Sequence, residues 1–264
     1  MSKRGSASFS RRQVLGGAIA VAAASGVSLP RTARARTPRA TFVLVHGAWH
    51  GGWCWRRVVD RLTALRHYVV APTLTGVGER SHLASDSVDL AMQITDIVNE
   101  IKWKDLDGIV LVGHSYGGMV ITGVAEQLKD HIASIVYLDA FMPADGQSLS
   151  DLLGPAAPKW PEHLALPISA ERFKVNEKDR AWVDSKMTPH PVKCFTDKLK
   201  VTGAYQAIKR KTYVRATEFE NPPFDAALAR CKADSSWITH SIKCGHDIMI
   251  DQPAALTRIL LSQA

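Results

Sequence analysis

The chain has 264 residues, 46% of them hydrophobic, and 33 Lys+Arg against 25 Asp+Glu, a formal net charge of +8. Six of the cations (Lys3, Arg4, Arg11, Arg12, Arg31 and Arg34) precede Arg36 with no acid among them, which leaves 27 against 25, about +2. No basic stripe with interleaved aromatics follows, so the suggestion of a nucleic-acid partner mostly leaves with these first residues, and none is expected.

The first residues have the pattern of a targeting segment. Ser10-Arg11-Arg12-Gln13-Val14-Leu15 is a twin-arginine signature, the stretch from Val14 to Leu29 is apolar and rich in Gly and Ala, and Ala33-Arg34-Ala35 offers an A-x-A-like cleavage site. A spanning helix needs ~20 strongly apolar residues. This run is shorter and contains Gly16, Gly17, Ser25 and Gly26, and no cysteine follows to carry a lipid. Residues 1–35 are therefore expected to be a cleaved signal, and 36–264 a single folded domain delivered to the periplasm or beyond without a stable membrane anchor.

After the signal, strands and helices alternate. Phe42-Val43-Leu44-Val45 is a buried-strand run, and Trp53 to Leu65 has helical apolar spacing. Tyr68–Ala71 reads as a strand, Val88–Ile101 as an amphipathic helix, Ile109–Val112 as a strand, Met119–Lys129 as a helix and Ile132–Leu138 as a strand. Such alternation specifies an α/β fold with a mainly parallel sheet and helices on both faces. The rhythm breaks over about 143–210, which holds seven prolines with Trp160, Phe173, Trp182 and Phe195 between them. This stretch is too apolar for a linker, and we expect a helical cap inserted over the face that carries the chemistry. A strand at Thr212–Arg215, a helix at Pro223–Cys231, a strand at Trp237–Ile242 and a helix at Pro253–Leu261 complete the pattern. Four cysteines without metal-ligand spacing argue against a metal site, and only Cys231 and Cys244 stand where a disulfide is conceivable.

The chemistry is carried by Gly113-His114-Ser115-Tyr116-Gly117, a G-x-S-x-G match between a strand and a helix. In that context the serine sits on a strained turn that presents its hydroxyl above the sheet. A serine hydroxyl needs a general base, and His246 stands between the last strand and the last helix, where this architecture places one. Two backbone N–H groups must meet the developing oxyanion. Tyr116, after the nucleophile, and Ala48, after the first strand, are the candidates. The acid that orients the base stays open. Asp139 ends one strand, while Glu218 and Glu220 follow a later one. His46, His114, His190 and His240 read as structural. No cofactor is required by this chemistry.

The stretch from Phe42 to Trp53, the elbow with Gly117-Gly118-Met119, and Phe141-Met142-Pro143 together resemble the α/β-hydrolase branch of plant methyl-salicylate esterases and hydroxynitrile lyases, with bacterial esterases of the same type. The resemblance implies an α/β-hydrolase fold with Ser115 as nucleophile, His246 as base, and Ala48 and Tyr116 as oxyanion hole. The plant members carry an aspartate where this chain has Phe219, and haloalkane dehalogenases of the wider fold place their acid in a stretch similar to Leu138-Asp139-Ala140, which favours Asp139. The lyases have threonine at the position of Gly47 and lysine at that of Asp247, so the resemblance implies ester hydrolysis, and the apolar cap suggests a small lipophilic or aromatic ester as the partner. A lyase-like C–C cleavage and a non-catalytic small-ligand receptor are the alternatives. A dehalogenase would need a carboxylate where Ser115 stands.

Overall fold

A computed structural model describes residues 39–264; the expected signal at 1–35 lies outside the described residues. In chain order the elements are β1 (Thr41–Val45), α1 (Arg56–Ala64), β2 (Tyr68–Val70), α2 (Leu90–Lys102), β3 (Ile109–His114), α3 (Gly117–Leu128) and β4 (Ile132–Leu138). An excursion follows with α4 (Leu149–Leu153), β5 (Leu164–Ala165), α5 (Glu177–Lys186), β6 (His190–Pro191) and α6 (Lys193–Thr196). The sheet then resumes with β7 (Arg210–Ala216), α7 (Pro222–Ala233) and β8 (Trp237–Ile242), closed by α8 (Ile248–Asp251) and α9 (Pro253–Leu261).

Six strands form one parallel sheet in the order β2-β1-β3-β4-β7-β8. The two-residue period of a strand explains why its central members are apolar without interruption. Val43, Val45, Ile109 and Leu111 enter one core with α2 and α3, while Phe42, Leu44, Val110 and Val112 enter the other with α1 and α9. All eight are buried. Each such side chain contributes roughly 1.5–3 kcal/mol when taken from water, and neither face of β1 or β3 is left to solvent.

The connectivity sets the site. From β1 the chain steps outward to β2, then returns to lay β3 on the other side of β1. The crevice beyond the carboxyl ends of β1 and β3 is the switch point where such sheets bind ligands. Ala48 follows the end of β1 and Ser115 the end of β3, so the two loops facing this crevice carry both.

Between β4 and β7 the chain makes an excursion that is only partly helical, where a helical cap is expected. Its helices are short, and β5 and β6 pair as an antiparallel ribbon, with a further bridge between Gln147 and Leu199. Prolines follow closely on α4 and α5, at Pro155 and Pro189, and extended backbone at His190-Pro191 pairs instead. Trp49 Nε1 donates to Ala165 O (3.0 Å), and the Phe195 ring meets Trp49 and Tyr116 at 5.7 and 5.5 Å. The insertion thus roofs the crevice and completes the first core. Cys231 and Cys244 are buried, free thiols, so the conceivable disulfide is not formed. Among the described residues no helix is long and apolar enough to cross a membrane.

Candidate active site

Ser115 has φ +54°, in the left-handed region that L residues avoid. The turn needs backbone at van der Waals contact on either side of it. A Cβ at Gly113 would lie 2.6 Å from Gly117 O, and one at Gly117 would lie 2.7 Å from His46 O. Glycine alone lets β3, α3 and the loop after β1 approach so closely. The result is a half-buried serine at the amino end of α3, lining a cavity of about 430 Å³.

His246 lines the same cavity, without a hydrogen bond between its side chain and that of Ser115. Its loop is fixed from below: His246 N donates to Phe173 O (2.8 Å), and His114 Nε2 donates to His246 O (3.0 Å). The imidazole is packed against Phe219 (centroids 4.5 Å, 29°), Phe224 and Phe173, and is 2% exposed.

Its Nδ1 donates to Asp139 Oδ2 at 2.7 Å. Asp139 is fully buried and has φ +44°, directly after β4. Its other oxygen accepts from Arg215 Nη1 (2.8 Å) and Ala216 N (3.0 Å), so only Oδ2 is left for the imidazole. Glu218 and Glu220 are exposed and make no hydrogen bond to His246 among the described residues. The ring of Phe219 stacks on the imidazole from this same loop.

Arg215 escaped the sequence reading, since a cation inside a strand pattern gives no signal of its own. Its guanidinium reaches Asp139, Asp225 Oδ1 (2.8 Å), Phe219 O (2.7 Å) and Ala216 O. Burial works against its charge, but Asp139 and Asp225 more than offset this and its pKa is raised. A buried carboxylate with a cation, an amide and an imidazole on it has its lone pairs satisfied, as a charge out of water requires.

The loop after β1 is held from several sides. Among the described residues, neither Ala48 N–H nor Tyr116 N–H has a protein acceptor, and both residues line the cavity. His46 Nδ1 donates to Gly47 O (2.8 Å), and its Nε2 accepts from Leu74 N–H (3.0 Å). That arrangement needs a neutral ring, and burial pushes the His46 pKa down to about 4. Since Gly47 O and Ala48 N–H belong to one trans peptide, holding the carbonyl aims the N–H the opposite way. His190 Nδ1 accepts from Trp49 N–H (3.1 Å), and burial lowers its pKa well below the usual imidazole value. The hydrogen bonds of His46, His114 and His190 thus all run to backbone or to side chains that hold these loops.

Two residues acquire contacts that no local pattern announces. His50 Nδ1 lies 2.8 Å from Ala48 O, and His50 Nε2 lies 3.0 Å from Asp247 Oδ2. Both side chains are essentially inaccessible to solvent.

The cavity wall is mainly apolar, with Trp49, Phe141, Leu149, Trp160, Phe173 and Phe219 among its residues. No group of three or more His, Cys, Asp or Glu able to hold a metal ion occurs among the described residues.

Comparison with known proteins agrees with this architecture. The model of the alpha/beta hydrolase family matches residues 42–259. A carbendazim hydrolyzing esterase from Nocardioides sp. is 41% identical over 237 residues, covering 84% of this chain and 98% of that protein. Methylesterase 1 of Arabidopsis thaliana is 31% identical over 160 residues, 56% of this chain and 51% of its own. Among solved structures, an extracellular alpha/beta-hydrolase from a Paenibacillus species superposes with a TM-score of 0.75 at 26% identity, over 85% of this chain and 99% of the other. That protein is described as homologous in structure and function to tobacco salicylic acid binding protein 2. The chain belongs to the alpha/beta hydrolase family, and it is a hydrolase of the esterase type.

Proposed function

We propose that the protein hydrolyses small lipophilic or aromatic carboxylic esters through a triad of Ser115, His246 and Asp139. The observation that carries this reading is the buried 2.7 Å bond from His246 Nδ1 to Asp139, on a histidine that shares its cavity with an elbow serine. In the proposed reaction, Ser115 Oγ attacks the ester carbonyl carbon while His246 Nε2 takes its proton. The tetrahedral oxyanion is held by the N–H groups of Ala48 and Tyr116. The carbon–oxygen bond to the alcohol then breaks, and His246 returns the proton to the leaving alkoxide. Water, deprotonated by the same nitrogen, releases the acid and restores the serine. Asp139 keeps the imidazole in the tautomer with its proton on Nδ1 and stabilises the imidazolium formed in each half-reaction. The steps use no metal and no cofactor.

A mainly apolar cavity of about 430 Å³ supports a compact, hydrophobic substrate. Gly47 and Asp247 stand where the lyases of this branch carry threonine and lysine, so the cation that would stabilise departing cyanide has no counterpart here. The twin-arginine pattern supports export of the folded enzyme, with the mature chain starting near Arg36.

The test is turnover of p-nitrophenyl esters of increasing acyl length, together with aromatic methyl esters and carbendazim, by the wild type and by Ser115→Ala. Short or aromatic esters should be cleaved best, and Ser115→Ala should lose about 10⁴-fold in kcat. Retention of more than a tenth of wild-type turnover by that variant would overturn the serine mechanism. A preference for long acyl chains would overturn the substrate class.

A further inference from the structure

His50 sits between two acceptors. A backbone carbonyl oxygen has no proton to give, so the 2.8 Å contact with Ala48 O requires a proton on Nδ1. The Asp247 carboxylate, 3.0 Å from Nε2, requires one there as well when it is ionised. A ring that donates from both nitrogens is an imidazolium. It is sealed from water, stacked on Trp53 (centroids 5.1 Å, 18°) with Phe173 at 5.9 Å. Asp247 is the residue after His246, and Ala48 lies in the loop after β1. The ring therefore spans the loop that supplies an oxyanion amide and the loop that supplies the base.

We propose that His50 is a positioning residue, a buried imidazolium with Asp247 as its counterion, which fastens the oxyanion loop to the loop carrying His246. The inference rests on the serine-esterase reading above. His50 touches neither the ester nor the reacting atoms. It fixes the carbonyl of the Ala48–Trp49 peptide, while His46 fixes that of the preceding one, so the Ala48 N–H has no freedom to rotate away from the oxyanion. Preorganised donors of this kind lower the barrier because they need not reorient as charge develops.

The electrostatics agree. Burial alone would discharge His50, yet the Asp247 carboxylate and the Ala48 carbonyl outweigh it and raise its pKa. Burial likewise favours neutral Asp247, but the charge and hydrogen bond of His50 hold its pKa down at about 2. The other titratable groups facing the ring are His114 (centroids 6.3 Å) and His46, both kept neutral by burial. Glu79, which accepts from Thr73, lies beyond Gly51. Asp247 is thus the carboxylate directly on the ring.

Three variants of the full-length enzyme test this, with kinetics and inhibition together as one readout and NMR as the second. His50→Phe with Asp247→Leu keeps an aromatic ring on Trp53 and leaves no orphaned carboxylate. It should lose about 30- to 100-fold in kcat, with KM changed less than about threefold. Inhibition by an aryl trifluoromethyl ketone, whose adduct with serine needs the oxyanion donors, should weaken by a similar factor. Asp247→Asn, whose amide can donate to a neutral His50 Nε2, should recover most of the lost kcat. The second readout is independent of turnover: 15N NMR of Ser115→Ala protein at pH 7 should show both His50 ring nitrogens protonated. A double variant within threefold of wild-type kcat, a loss confined to KM, or a singly protonated His50 ring would each overturn the latch. Undiminished turnover by Ser115→Ala would instead overturn the esterase reading, and the NMR result would still decide the latch.

Discussion

At the residue scale, the decisive choice is which carboxylate serves His246. The loop after β7 supplies two glutamates, both in solvent, and puts a phenylalanine ring on the imidazole instead. A stacked ring excludes water from the Asp139–His246 bond, which strengthens an electrostatic contact that bulk solvent would screen. Asp139→Asn changes charge but little volume, and turnover should fall by about 10²–10⁴-fold as the imidazole loses its correct tautomer. Glu218→Gln should cost less than about tenfold, under roughly 1.4 kcal/mol of barrier. Steady-state kinetics on one good ester compares the two, and the opposite ranking would move the acid to the β7 loop. Arg215 adds a further expectation. Lysine has one ammonium group and cannot reach Asp139, Asp225 and Phe219 O together, so Arg215→Lys should lower both kcat and melting temperature although the charge is kept. An unchanged melting temperature would show that the fork geometry is dispensable.

At the element scale, the strands β1, β3 and β4 were legible because a strand buried on both faces must be apolar at every position, a pattern no surface element produces. The elbow was legible because its strand, small residues and helix occur in sequence. The break in rhythm over about 143–210 was legible too, but not the elements within it, since its helices run only 4 to 10 residues and a two-residue ribbon leaves no periodicity to read. Arg215 and the His50–Asp247 contact were hidden for a different reason: their partners lie 76 and 197 positions away, and only the strand order brings them together. Close approach of elements also predicts a substitution. In Gly117→Ala the new methyl group would meet backbone at His46, which has no flexible side chain to move. It should cost about 1–3 kcal/mol of stability by overpacking and displace the loop that carries Ala48. Denaturant unfolding measures this, and a neutral result would mean that β1 and α3 are less closely locked than the structure has them.

At the scale of the whole molecule, buried histidines set the pH range of stability. His46, His114 and His190 have folded pKa values below the ordinary 6.5, chiefly through burial. The unfolded chain binds protons at these sites first, so stability is greatest above pH 6.5 and declines as the pH falls toward their folded values. For His46, at about 4, the loss amounts to roughly 3 kcal/mol. His50 runs the other way, stabilising below 6.5 and losing that contribution as the pH rises through its raised folded value. Asp247 stabilises above the ordinary 3.8, and its contribution is lost as the pH falls through about 2. The lowered rings outweigh the raised one, and they predict a melting temperature that falls from pH 6.5 to 4. A flat profile over that interval would contradict the neutral assignment of the three rings. The twin-arginine reading is tested at the same scale by Arg11→Lys with Arg12→Lys, which should leave the precursor in the cytoplasm on cell fractionation; normal export would refute it.

The central claim is that Ser115 is the activated nucleophile, and chemical trapping addresses it most directly. An alkyl fluorophosphonate offers a tetrahedral phosphorus that a serine attacks only when a base takes its proton and oxyanion donors receive the charge. Intact-protein and peptide mass spectrometry should show one adduct per chain, on the peptide containing Ser115, formed in step with the loss of esterase activity and markedly more slowly in Asp139→Asn. An adduct on another residue, or full inactivation with Ser115 unmodified, would contradict the account.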